Sequence, residues 1–370
     1  LLKHSERATG SFDVTILVVT VVLCAFGLLM VYSASSAYAL KGFGDSAYFL
    51  KRQLLFLTIG LGWMALLMHT SPRLIVKFVY PIYALGLVLL ALVLVPGIGK
   101  EVGGARRWID LGFVAFQPSE FAKLALVVYL AYSLHKKRDR MDSFSIGFLS
   151  HLVMGGAYVA LLLLEPDFGM AAIVLMVMFS MLFVGGLRPR YIALSVALAA
   201  LFFAVGTLSE GYRLRRVIAF LNPWKDPLGS GYQAVQSFVA LGVGGPFGTG
   251  LGNSTQKLFF LPEAHTDFIF SIIGEELGFV TAIGLILLYG VLVFRGMRVA
   301  LRARDLLGCY LAFGCTLLIG LQAATNMAVA VGLLPTKGIT LPLVSYGGTS
   351  LVGSLMAVGV ILSVSREGVP

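Results

Sequence analysis

Ten apolar stretches, spread from end to end of this chain, leave it little choice of fold. They lie near residues 14–33, 54–68, 78–95, 121–134, 147–164, 170–187, 191–208, 268–294, 306–331 and 350–364. A helix needs about 20 apolar residues to cross a bilayer, so the shorter runs are expected to recruit their polar flanks. Charged residues make up only 12% of the chain and hydrophobic ones 58%, and mean hydropathy is +0.91. A soluble domain of this size carries roughly twice that share of charge. The expectation is an all-α polytopic membrane protein with about ten transmembrane helices, forming a single membrane domain over residues 1–370. The first run follows charges without a small-residue cleavage pattern, so it reads as a retained span. Cys24, Cys309 and Cys315 all fall inside apolar runs, where they read as small packing residues and not as a metal or disulfide framework.

Charge sets the expected sidedness. Short basic loops follow even-numbered spans: Arg73 and Lys77, the run HKKRDRMD at 135–142, Arg188 and Arg190, and Arg295 through Arg304. Basic loops favour the cytoplasmic side, so both termini are expected there. The large loop between spans seven and eight (209–265) then lies outside. The net charge of +10 is accounted for by this topology, and no nucleic-acid partner is implied.

Four polar blocks fall outside by the same parity. They are KEVGGARRWID with FQPSEFAKL (100–124), EPDFG (165–169), the long loop, and LPTKGITLPLVSYGGTS (334–350). The long loop ends in GLGNSTQKLFFLPEAHTDFIFSIIGEELG (250–278), where Asp267 meets the start of an apolar run. Two readings of Asp267 stand side by side. It is a helix N-terminal carboxylate satisfied by free backbone N–H groups, with His265 or Thr266 as the cap, or a general base whose pKa burial raises. Glu275 and Glu276 lie eight and nine residues on, a rise of about 12 Å, beyond the reach of a paired glycosidase carboxylate. Structural pairing with Ser, Thr or Arg on another helix suits them better.

The outer cations are Arg106, Arg107, Lys123, Arg213, Arg215, Arg216, Lys257 and Lys337. Any one of them alone reads as a snorkelling or headgroup contact. Together they run against the positive-inside trend and point to an anionic ligand such as a pyrophosphate. Glu120 and Lys123 are spaced to pair on one helix face. No Walker A, HExxH or GxSxG pattern occurs.

In their order, GARRWI, QPSEFAKL, EPDFG, GYQ, the 250–278 block and LPTKGITLPLVSYGG resemble the SEDS family (shape, elongation, division and sporulation). The match covers nearly the whole chain, and LPEAHTDF and LPTKG are more similar to its division members than to its elongation members. The resemblance implies a peptidoglycan glycosyltransferase in the bacterial cytoplasmic (inner) membrane, acting on the outer face. Its substrates would be lipid II and the nascent glycan strand. Its partners would be a class B penicillin-binding protein, which cross-links the strands, and other divisome membrane proteins. It further implies Asp267 as the catalytic residue, with Arg106, Gln117, Glu120, Lys123 and Ser345 near the site. Arg107, Lys257, His265 and Lys337 join them as candidate substrate contacts.

A polyprenyl pyrophosphate leaving group needs charge neutralisation more than a proton, while the attacking 4-hydroxyl needs a base. One carboxylate among several cations is the inventory such chemistry requires. No cofactor is required by this reading, and the metal ligands are unknown. A divalent cation, Mg2+ or Mn2+, is a candidate for the pyrophosphate. The alternative is a lipid II flippase or transporter, suggested by ten spans and by membrane-embedded Lys123 and Glu276. Transporters place polar breaks near the midplane in paired halves, whereas these blocks crowd one face. A third reading, a scaffold that only recruits the cross-linking partner, predicts freely replaceable outer charges.

Overall fold

The computed structural model describes residues 11–102, 104–110, 112, 114–208 and 219–368. Each apolar run falls on a helix, and polar flanks lengthen most of them. The first helices are α1 (Val14–Phe43), α2 (Tyr48–His69), the short α3 (Pro72–Lys77) and α4 (Val79–Leu94). Next come α5 (Pro118–Lys137), α6 (Ser150–Leu164), α7 (Phe168–Val184) and α8 (Pro189–Leu208). The last are α9 (Tyr232–Gly244), α10 (Ile269–Leu301), α11 (Leu306–Ala330) and α12 (Gly348–Glu367). A π-helical turn, Phe144–Leu149, runs into α6.

This is a polytopic helical membrane protein. Among the described residues, six helical segments are long and apolar enough to cross a membrane: α1, α2, Phe144–Leu164, α10, α11 and α12. Helices α4 and α7 are shorter and apolar. Helix α5 carries Glu120 and Lys123, yet it is buried along almost its whole length. Protein, and not lipid, surrounds it there, and this is the setting in which charged groups persist at membrane depth. Helices α11 and α12 are likewise mostly buried, whereas α2 turns most of its surface outward.

Loops grouped by charge parity meet one another in space. At one end Arg188 pairs with Asp142 (2.9 Å), Arg73 with Asp305 (3.3 Å) and Arg295 with Asp13 (2.7 Å). There Arg366 also donates to the His69 carbonyl (3.0 Å). At the other end the four polar blocks converge.

One feature departs from the expected all-helical form, and one adds a helix to the long loop. Between α4 and α5 lies a three-stranded antiparallel sheet, β1 (Gly99–Val102), β2 (Ala105–Asp110) and β3 (Ala115–Phe116), in the order β1-β2-β3. Gly104, at φ 79°, sits in the turn from β1 to β2. The long loop, for its part, contains α9, whose Ser237 is buried against Ser271 (2.6 Å) and the Ala330 carbonyl (2.7 Å).

A backbone loop enters the hydrogen-bond ladder of α10. Gly278 adopts φ 78° and ψ 178°, a conformation essentially confined to glycine, and the helix is interrupted there. Phe279 and Val280 N–H would ordinarily donate to the carbonyls of Glu275 and Glu276. Instead they donate to Gly245 (2.9 Å) and Pro246 (3.1 Å), while Thr249 and Gly250 N–H take the vacated carbonyls (2.9 Å each). All four groups at this break are therefore satisfied, which a membrane-embedded break requires. The loop comes so close that a Cβ on Gly248 (φ 82°) would lie 2.2 Å from the Glu276 carbonyl oxygen. Gly248→Ala is expected to cost about 1–3 kcal/mol, seen as a lower unfolding temperature in detergent. Gly242→Ala, where an added Cβ meets nothing within 4 Å, is the control expected to stay within about 0.5 kcal/mol.

Candidate active site

Asp267 sits two residues before Ile269, the first residue of the break-bearing helix, where the polar blocks converge. Three consecutive N–H groups, of Thr266, Asp267 and Phe268, donate to the Glu263 carbonyl (3.1–3.2 Å). That tight turn, with Glu263 at φ 55°, aims the chain into α10. Phe268 is the N-cap residue and no side chain caps the helix, so the Asp267 carboxylate is not used as a cap. Burial raises its pKa from 3.8 to about 7, helped by the negative charges of Glu263 and Asp167 and opposed by Arg107.

Strand β2 delivers Arg107. Successive residues of a strand face opposite sides. Arg106 turns to Glu101 (3.4 Å), while Arg107 reaches the EPDFG turn. Its guanidinium donates to the Glu165 (3.3 Å) and Pro166 carbonyls and lies 3.9 Å from the Asp167 carboxylate. Asp167 also caps α7 by accepting from Met170 N–H (3.1 Å). Glu165 is fully buried and neither carboxylate oxygen has a hydrogen-bond partner. Burial, then the charge of Asp167, pushes its pKa up to about 8 against the pull of Arg107. Its surroundings therefore favour the protonated form.

The Lys337–Gly338 turn covers the other side. A Cβ on Gly338 would lie 3.1 Å from the Asp267 carboxylate, and one on Gly169 would lie 3.5 Å from the Lys337 stem. Glycine at both positions lets the turn close on Asp267 and on the start of α7. Arg107, Asp167 and Asp267 thus form one group of mixed charge, and the turn that bears Lys337 packs over it.

The remaining candidates hold this group in place or stand apart from it. Ser345 is buried, accepts from Leu341 N–H (2.8 Å) and donates to the Thr266 carbonyl. Tyr346 N–H donates to the His265 carbonyl (2.9 Å). The His265 ring packs against Phe49 (4.6 Å), Tyr38 and Tyr346 (5.7 Å each), and burial lowers its pKa. Gln117 lies partly buried where β3 gives way to α5. Glu120 and Lys123 form a fully buried ion pair, and Lys123 also donates to Gln322.

Lys257 does not join the other cations. It is buried against Glu276 (2.7 Å) and Ser33 (3.3 Å). Ser33 also donates to Glu276 (2.6 Å). Neighbouring Glu275 accepts from Ser254 Oγ and from Thr255 N–H (2.9 Å) and Oγ (3.0 Å). Both carboxylates of the break-bearing helix are structurally paired, but chiefly by the polar loop; only Ser33 of α1 is the expected partner on another helix. Arg213, Arg215 and Arg216 lie outside the described residues. Among the described residues no group of three or more His, Cys, Asp or Glu side chains is placed to hold a metal ion.

Gln322 and Asn326, one turn apart on α11, were not singled out by sequence, and neither were Glu165 and Asp167 individually. Two amides spaced i, i+4 in an apolar span are the available signal.

A family model described as "cell cycle protein", covering FtsW, RodA and SpoVE, matches residues 14–369. The chain belongs to the FtsW/RodA/SpoVE family. A probable peptidoglycan glycosyltransferase FtsW of Geobacter sulfurreducens is 49% identical over 368 residues, covering 99% of this chain and 97% of the relative. Stage V sporulation protein E of Bacillus subtilis is 43% identical over 354 residues, 96% and 97% of the two chains. Among solved structures, a chain of a peptidoglycan synthase complex that coordinates polymerization and crosslinking superposes with a TM-score of 0.79. It is 33% identical, with 96% of this chain and 98% of that one covered. Membership in the FtsW/RodA/SpoVE family thus extends over the whole bundle, polar blocks included.

Proposed function

We propose that this chain is a peptidoglycan glycosyltransferase that polymerises lipid II, with Asp267 as its general base. The acceptor 4-hydroxyl oxygen attacks the anomeric carbon of the donor sugar, and its proton passes to Asp267. The bond from that carbon to the pyrophosphate breaks, and the electron pair leaves with the pyrophosphate. Arg107 and Lys337 face the developing charge, as electrostatic stabilisation of a leaving anion requires. The observation that carries the reading is a carboxylate not used as a helix cap, raised to a pKa of about 7, with the Arg107 charge acting on it and the turn that bears Lys337 closed over it. A base is most effective when its pKa lies near the operating pH.

In this reading all ten long helices cross the bacterial cytoplasmic membrane, with the Asp267 end outward. The partner is a class B penicillin-binding protein, supported by the likeness to a synthase complex. Relatives named FtsW favour a role in cell division. The transporter reading is weakened by the sealed state of Glu120 and Lys123, which are committed to each other and to Gln322.

Purified protein, reconstituted with its cross-linking partner and labelled lipid II, is expected to make glycan strands when the transpeptidase is blocked. Lipid II that crosses vesicle bilayers with no polymer formed would replace this reading with the transporter one.

A further inference from the structure

We propose that Asn326 is a positioning residue that fixes the Asp267 carboxylate against the Lys337–Gly338 turn. The inference rests on the reading of Asp267 as the base and adds what holds it. The Asn326 amide nitrogen donates to two backbone carbonyls, those of Asp267 and Ile339, at 2.7 Å each. Two carbonyl acceptors require the NH2 group, so this orientation of the amide follows from its partners. One side chain, 1% exposed, therefore ties the peptide of the base to the segment that bears Lys337.

The rest of the tie runs deeper into the bundle. Gln322, one turn earlier on α11, donates to the Thr340 carbonyl (3.2 Å), the Thr340 hydroxyl (3.3 Å) and Ser350 (3.3 Å). Its oxygen accepts from Lys123, which is neutralised by Glu120. Two amides one helical turn apart thus grip the successive carbonyls of Ile339 and Thr340. The Asp267 N–H is already held by Glu263 (3.1 Å). With its carbonyl held by Asn326, the residue keeps only side-chain freedom. Base and turn then move as one body with rigid α11.

Asn326 has a second property that pure packing does not explain. Its amide oxygen is buried without a hydrogen-bond partner, an arrangement that costs stability. A leucine would remove that penalty only by stranding the Asp267 and Ile339 carbonyls. An amide is required only if the two carbonyls must be joined.

The test uses the full chain with its cross-linking partner, lipid II as substrate, and unfolding temperature as the measure of folding. Asn326→Ala is expected to lower kcat about 10- to 100-fold, the scale of a misplaced catalytic group. KM should change less than about threefold, because Asn326 touches no substrate. The midpoint of the pH–rate profile should also move, since the carboxylate shifts relative to Glu263 and Arg107. Asn326→Ser keeps one donor and is expected to fall between. Wild-type kcat in either variant overturns the proposal, as does lost activity that tracks lost folded protein with kcat per folded molecule intact. If Asn326→Ala does not fold, Asn326→Ser decides by the same criteria. Asp267→Asn is run alongside: if that variant is active, the base assignment fails. If it is inactive while Asn326→Ala is normal, only the positioning role fails.

Discussion

Asp267→Asn is expected to abolish polymerisation at pH 8 while leaving the protein at least as stable as before. Removal of a general base costs about 10²–10⁴-fold in rate, and an amide of the same shape keeps the local packing. The stability side follows from the raised pKa. In the unfolded chain the carboxyl ionises near 3.8, in the fold near 7. Between those values the native state binds the extra proton, so stability falls as pH rises through that window and stays low above it. At pH 8 the wild-type protein carries an unfavourably ionised, half-buried carboxylate, a burden that the neutral amide does not carry. The gain in the amide variant is on the order of a few kcal/mol at most, visible as a higher unfolding temperature. Wild-type activity should rise with pH to a plateau, half-maximal near pH 7. Glu263→Gln removes a charge that raises the Asp267 pKa and should move that midpoint down. A flat profile from pH 6 to 8 would argue against Asp267 as the titrating base.

Length and hydropathy made the helices legible, because a span must be long and apolar whatever it packs against. Several loops of one charge parity touch, as Arg188 does Asp142 and Arg73 does Asp305, because like ends of a bundle share one face. The sheet was missed although KEVGGARRWID contains a glycine pair between extended-prone residues, a hairpin signal obscured by attention to its charges. That pattern also decides which arginine turns to the EPDFG turn, since Arg106 and Arg107 lie on opposite faces of β2. The two lysines of the polar loops show what sequence does not carry. Lys257 and Lys337 both follow uncharged polar residues in polar segments that contain glycine. One is buried on a glutamate 19 positions away and the other lines the turn over Asp267. Only the path of the backbone separates them, and that path depends on the loop inserting at Gly278.

Glu276→Leu alone is expected to be the most destabilising of the substitutions considered, and Lys257→Met added to it should recover much of the loss. Glu276 is fully buried and its oxygens are taken up by Lys257 (2.7 Å) and Ser33 (2.6 Å). Removing it strands an ammonium group in a site with 7% exposure, and breaking a buried pair from one side costs about 3–5 kcal/mol. Replacing both partners by apolar groups removes the stranded charge, so the double variant should lie within about 1–2 kcal/mol of the wild type. The coupling is read from a double-mutant cycle of unfolding temperatures or denaturant midpoints. Activity separates this structural role from a grip on pyrophosphate. The double variant, folded, should polymerise lipid II within a few-fold of the wild-type rate. A stable double variant with polymerisation abolished would instead return Lys257 to the substrate side of the site. The expected outcome makes the polar loop at 250–257 a brace for α10: it satisfies the two carboxylates and the broken ladder, and so sets the angle at which the helix presents Asp267.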